Sequence, residues 1–139
     1  MKKTRSAFTL VEVVVSMMLI GLLIIGIVQG WMFAHNLAET SAYSLAANSL
    51  SIQRMEQARS TKIDLLASPP VDELVQTNFP PVTNILDVPM SGDNIPYAVT
   101  FTTIEDLPGS LKLIRAETVW SMVDRGPFTN AIQTYRAAQ

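Results

Sequence analysis

The chain has 139 residues, 48% of them hydrophobic, with twelve acidic and ten basic side chains for a formal net charge of −2, and no cysteine. That length fits one domain plus one long element. The missing cysteines exclude a disulfide framework and any thiolate metal or redox site, and the acidic balance makes nucleic acid a poor partner by bulk electrostatics.

The charge is unevenly placed. Lys2, Lys3 and Arg5 lie in the first five positions, and without them seven basic side chains face twelve acidic ones, a net charge of −5. The sequence then reads Phe8-Thr9-Leu10-Val11-Glu12 and runs through 21 residues, Val13 to Phe33, without a charged side chain. Such a run spans a bilayer and exceeds the core of a secretory signal peptide. Basic residues ahead of it mark the cytoplasmic side, so the C-terminal part faces outward. Ser16 and Gln29 are its strongly polar members. Gly26 and Gly30 form a small-xxx-small pair that permits close helix approach, which ordinary glycine enrichment in membrane helices explains as well. Glu12, one step inside the apolar segment, carries a carboxylate that costs a few kcal/mol to bury in hydrocarbon. It therefore marks a functional position, unless it simply snorkels to the headgroups.

The order and spacing from the basic leader to Glu12 resemble the N-terminus of type IV prepilins and of the pseudopilins of type II secretion systems. The resemblance implies cleavage by a prepilin peptidase between Ala7 and Phe8, methylation of the new amine on Phe8, and packing of the helix into a filament core. Ala7 stands where that family nearly always has glycine. The implied partners are other pilin or pseudopilin subunits, the peptidase, an inner-membrane assembly platform, and membrane lipid before assembly. Glu12, about one turn and roughly 6 Å of rise from the new amine, would be neutralised by the Phe8 amine of a neighbouring subunit, which makes it a register device.

Beyond Phe33 the composition turns polar, but Ala38, Ala42, Leu45, Ser49, Ile52 and Met55 recur at helical spacing. One helix is expected from about Thr9 to Arg59, roughly 75 Å long, with that stripe facing the downstream domain. His35, the single histidine, is expected to be solvated rather than a ligand. Pro69, Pro70, Pro80, Pro81, Pro89 and Pro96 exclude long helices and central strands. A surface loop with one short helical turn at Val71 to Gln76 is expected there. Asp87 and Asp93 lack the clustered spacing of a calcium site.

Alternation over Tyr97 to Thr102, β-branched and aromatic enrichment over Leu111 to Val123, and alternation over Phe128 to Tyr135 predict three antiparallel strands. Asp106 to Ser110 and Asp124 to Pro127 supply the turns. Ile114, Ala116, Thr118, Trp120 and Met122 should face the helix, and Leu113, Arg115, Glu117 and Val119 should be partly wet. The expected fold class is α+β, a long N-terminal helix with its first half transmembrane and a small three-stranded antiparallel sheet packed on its second half. The expected segments are a leader at 1–7, a transmembrane or filament-core helix at 8–33, its amphipathic continuation at 34–62, a Pro-rich loop region at 63–96 and the sheet at 97–139.

No nucleophile elbow, phosphate-cradling loop or paired carboxylate is found in the sequence. No catalytic residue, metal or cofactor is therefore assigned. Two classes remain, a filament subunit anchored at first in the inner membrane and later periplasmic or extracellular, and a bitopic membrane-anchored binding domain that does not polymerise. The strand from Leu113 to Trp120, its turn and the short last strand are similar to minor pilins and minor pseudopilins. The chain also lacks the helix proline near Gln29 and the cysteine-closed loop that major pilins often have.

Overall fold

The computed structural model describes residues 9–88, 95–122 and 125–137. The leader, the expected cleavage and methylation positions Ala7 and Phe8, Asp93 and Asp124 lie outside the described residues. The chain divides into a unit ending at Thr40 and a second beginning at Ser41.

Helix α1 runs from Leu10 to Ser60, within a residue of its expected ends. No proline interrupts it, and its three interior glycines, each about 1 kcal/mol worse than alanine, all lie in the apolar run. At its far end the Ser60 and Thr61 hydroxyls both donate to the Gln57 carbonyl at 2.9 Å, satisfying one of the last-turn acceptors that helix geometry leaves open.

In the second unit α1 buries Tyr43, Ala47, Ser51, Met55 and Ala58. This corrects the expected stripe, of which only Met55 lies on the buried face. Leu45 and Ile52 are 72% and 48% exposed. The reason is steric. Ala47, Ser51 and Ala58 are small enough for a β-strand to approach the helix closely, and Ser51 Oγ reaches Thr118 Oγ1 at 2.7 Å, which in turn lies 3.0 Å from Thr100 Oγ1. A face bearing Leu45 and Ile52 would hold the sheet further away.

After α1, strands β1 (Ile63–Asp64) and β2 (Val71–Asp72) form a small antiparallel pair. Val71–Asp72 is thus a strand, and the helical turn expected there falls at Gln76–Asn78, as a 3₁₀ turn. Strands β3 (Val82–Ile85), β4 (Tyr97–Leu107), β5 (Leu111–Met122) and β6 (Arg125–Ala137) form one antiparallel sheet in that order. The expected three-stranded sheet is therefore four-stranded. Pro80 and Pro81 exclude a central strand, but β3 starts just beyond them, at an edge where proline is tolerated. Between β4 and β5, Leu107 pairs with Leu111 across Pro108-Gly109-Ser110, with Gly109 and Ser110 at φ 81° and 57°.

The inner face of β5 follows the expected alternation. Ile114, Ala116, Thr118 and Trp120 are buried, Met122 is half-buried, and Lys112 joins them. Arg115 and Glu117 lie on the other face, 3.4 Å apart. Met55, Ala58, Leu74, Phe79, Ile114 and Ala116 form one apolar cluster, and Tyr43, Ala47, Leu86, Ala98 and Trp120 a second. Trp120 is fixed by polar as well as apolar contacts. Its indole N–H donates to Asn130 Oδ1 at 2.7 Å, and Asn130 Nδ2 donates to Ser44 Oγ at 3.1 Å.

The burial pattern separates two substitutions that the spacing alone would rank in the opposite order. Ala47→Leu should overpack the helix–sheet contact and destabilise the domain by about 1–3 kcal/mol, whereas Leu45→Ser should stay within about 0.5 kcal/mol. Urea unfolding of both variants tests this. A larger loss for Leu45→Ser would restore the stripe read from the spacing.

Candidate functional site

The start of α1 is built by Thr9. Its Oγ1 accepts the Glu12 backbone N–H at 3.3 Å, and its carbonyl accepts the Val13 N–H at 3.2 Å as the first helical bond. Thr9-Leu10-Val11-Glu12 has the order of a capping box, a threonine cap followed three residues later by glutamate. Glu12 lies in the first turn, where the helix dipole favours an anion by about 0.3–1 kcal/mol. Its side chain is exposed. The threonine-to-glutamate spacing of Thr9 and Glu12 is a helix-start signal in the sequence, hidden there inside the longer motif.

From Leu10 to Phe33 every large apolar residue is at least 42% exposed. The helix is long and apolar enough to cross a membrane. Ser16, Gln29, Gly26 and Gly30 are exposed as well. A Cβ placed on Gly26 or Gly30 would meet nothing within 4 Å, so these two positions present bare helix backbone. The structure does not bring Gly26, Gly30 and Glu12 to one point. They follow one another along the same helix. Trp31 and His35, one turn apart beyond them, stack with ring centroids 5.9 Å apart and planes 23° from parallel.

A capped, uncovered apolar helix led by basic residues defines a chain with a membrane-competent N-terminal segment. The prokaryotic N-terminal methylation motif matches residues 2–28, so the chain carries the prepilin-type motif. The match includes Ala7, Phe8, Glu12 and Gly26 and stops short of Gly30. No curated protein and no solved structure matches the chain.

The charged groups of the second unit act as tethers. Lys112 Nζ is 2.7 Å from Asp72 Oδ2 and 2.9 Å from Asp106 Oδ1, and donates to the Leu74 carbonyl at 3.0 Å. It thereby ties β2 and the end of β4 to β5. Desolvation pulls its pKa down, but the hydrogen bonds and charges of Asp72 and Asp106 outweigh that, and the net shift is upward from 10.5. Arg54 donates to Thr102 Oγ1 at 3.0 Å and to the Pro80 carbonyl at 2.7 Å, and stacks over Phe79 at 5.0 Å. Its burial lowers its pKa. Sequence reasoning missed both tethers, since one lysine at a strand start and one arginine on a helix carry no distinguishing pattern. Among the described residues no group of three or more His, Asp or Glu side chains could hold a metal ion, and Asp87 is exposed.

The sign of the Lys112 shift fixes a pH dependence. A cation whose folded-state pKa is raised contributes stability that is fully present below its unfolded value and is lost as pH rises through the folded value. Lys112→Met should therefore cost about 1–3 kcal/mol at neutral pH, largely by leaving the buried Leu74 carbonyl without its donor. The gap to wild type should hold up to about pH 10 and shrink above 10.5. A gap that widened over that range in urea unfolding would reverse the assignment.

Proposed function

We propose that the chain is a structural subunit of a type IV pilus-like or type II secretion filament, assembling through the first half of α1. One observation carries this reading, the prepilin-type motif at residues 2–28, which runs into a helix whose apolar residues are exposed from Leu10 to Phe33. In this reading residues 1–7 are removed by a prepilin peptidase at Ala7 and Phe8, and Phe8 is methylated. Residues 8–33 span the inner membrane and then enter the filament core, helped onto an assembly platform. Gly26 and Gly30 admit neighbouring helices. Residues 34–62 carry the helix onto a domain that stays outside the cytoplasm, first at the membrane and then in a periplasmic or extracellular filament. The sequence pattern from Leu113 to Trp120 and the absence of a helix proline near Gln29 favour a minor subunit; the last strand, expected to be short, is instead the 13-residue Arg125–Ala137 and carries no part of that reading. The Glu12 carboxylate pairs with the Phe8 amine of the adjacent subunit, a contact satisfied only in the correct register.

The second reading is a bitopic anchored domain that does not polymerise. The observation for it is that Glu12 lies in the first turn of α1, where the helix dipole favours an anion without any neighbour.

Glu12→Val and Glu12→Gln test the register role, and the complete absence of wild-type protein from sheared filaments would favour the second reading. Glutamine keeps the capping position but loses the charge. Under the register role both variants insert, lose the leader and fold, while their recovery in sheared filaments relative to membrane falls at least about tenfold. Recovery of Glu12→Gln near wild type would overturn the register role.

Processing is checked by intact mass. The mature protein should begin at a methylated Phe8, and Ala7→Gly should be cut as fast or faster. Met1 retained in assembled material would refute the processing step.

A further inference from the structure

Between Glu12 and Glu39 the chain has no Asp, Glu, Lys or Arg, and its single histidine, His35, falls near the end of that interval. Eighteen residues separate Val13 from Trp31, about 27 Å of helical rise, against a hydrocarbon core of about 30 Å. A span that begins just inside Glu12 therefore delivers Trp31 to the opposite boundary of the hydrocarbon, with His35 one turn beyond it. Both rings are exposed, Trp31 by 71%, and they stack with planes 23° from parallel. The pair thus forms one amphipathic plate. The indole body suits the acyl boundary, and the indole and imidazole N–H groups suit the phosphate and ester oxygens above it. Asn36 follows immediately, so polarity rises from this turn onward.

We propose that the stacked Trp31–His35 pair is a phospholipid-headgroup contact site that fixes the depth of α1 in the bilayer before assembly. The proposal rests on reading α1 as a membrane span, and it adds what that reading lacks, a stop. An apolar helix alone slides along the membrane normal at little cost per ångström. With its outer end held by the rings, the inner end is set as well, which keeps Glu12 at the cytoplasmic boundary rather than in hydrocarbon. The basic leader holds the inner end only until it is removed, whereas Trp31 and His35 remain.

The test uses the full chain in phosphatidylcholine–phosphatidylglycerol vesicles brominated either high or low on the acyl chains, read by tryptophan fluorescence. Trp120 is the second tryptophan and is buried in the domain core, so the Trp31→Phe variant supplies its signal for subtraction. High bromines should quench Trp31 about twofold more than low ones if the ring sits at the boundary. His35→Leu should move the ring deeper and bring that ratio towards one. Quenching by low bromines equal to or above that by high ones would overturn the site while leaving the span intact. An unchanged ratio in His35→Leu would overturn the role of the pair. The absence of quenching by either lipid would instead remove the span reading, and this proposal with it.

Discussion

The first half of α1 is apolar on every side, and that constraint governs the molecule. Eighteen large apolar side chains between Leu10 and Phe33 are each at least 42% exposed. At roughly 1.5–3 kcal/mol for full burial of each, the hydrophobic free energy left unrealised is on the order of tens of kcal/mol. That exceeds the net stability of an ordinary domain, about 5–15 kcal/mol. A helix hydrophobic all round belongs in a bilayer or among other helices. Either environment satisfies its hydrocarbon surface, so the groups that the two treat differently are the few that are not hydrocarbon. Those groups are the bare backbone at Gly26 and Gly30 and the charge at Glu12.

The second half of the helix meets a different requirement. Here the apolar surface is narrow, and close approach rather than bulk makes the contact. Ala47, Ser51 and Ala58 let β5 come close enough for Ser51, Thr118 and Thr100 to share hydrogen bonds in the interior. Buried hydroxyls are tolerable because each has a partner. Longer side chains then fix the domain at its periphery. Asn130 links β6 to Ser44, Arg136 of β6 donates to the Ala58 carbonyl, Arg54 holds Pro80, and Lys112 holds β2.

The features that were legible in the sequence are those carried by continuous patterns. An apolar run without charge, a basic leader and the spacing from Phe8 to Glu12 are local, and so are the alternations of β4 and β5. The helix face was not legible, because periodicity weights large apolar residues such as Leu45 and Ile52 while the sheet selected small ones. Strand β3 was hidden by the prolines before it, which exclude central strands but not an edge. The tethers at Lys112 and Arg54 depend on partners up to 48 residues away in sequence, and no local signal announces them. The Thr9 cap is local as well, but its residues also belong to the broader motif, which hides the helix-start signal.

That cap also changes the electrostatics of the helix start. Thr9 places the first turn of α1 immediately after Phe8. If the leader is removed at Ala7, the new amine is one residue ahead of Thr9 in sequence, and the unpaired N–H groups of the first turn already carry about half a positive charge. The two charges have the same sign, and methylation of an amine leaves its charge in place. Glu12 is the acidic residue of that first turn, so its charge has the sign that offsets both. In water this balance would matter little, but in an apolar environment the effective dielectric falls and the same separation counts several-fold more. An amine near a helix N-terminus in hydrocarbon needs an anion within reach, whether its own Glu12 or a neighbour's. Any pairing of Glu12 with another subunit's amine would have to be weighed against the favourable field of its own helix N-terminus rather than against an unpartnered charge.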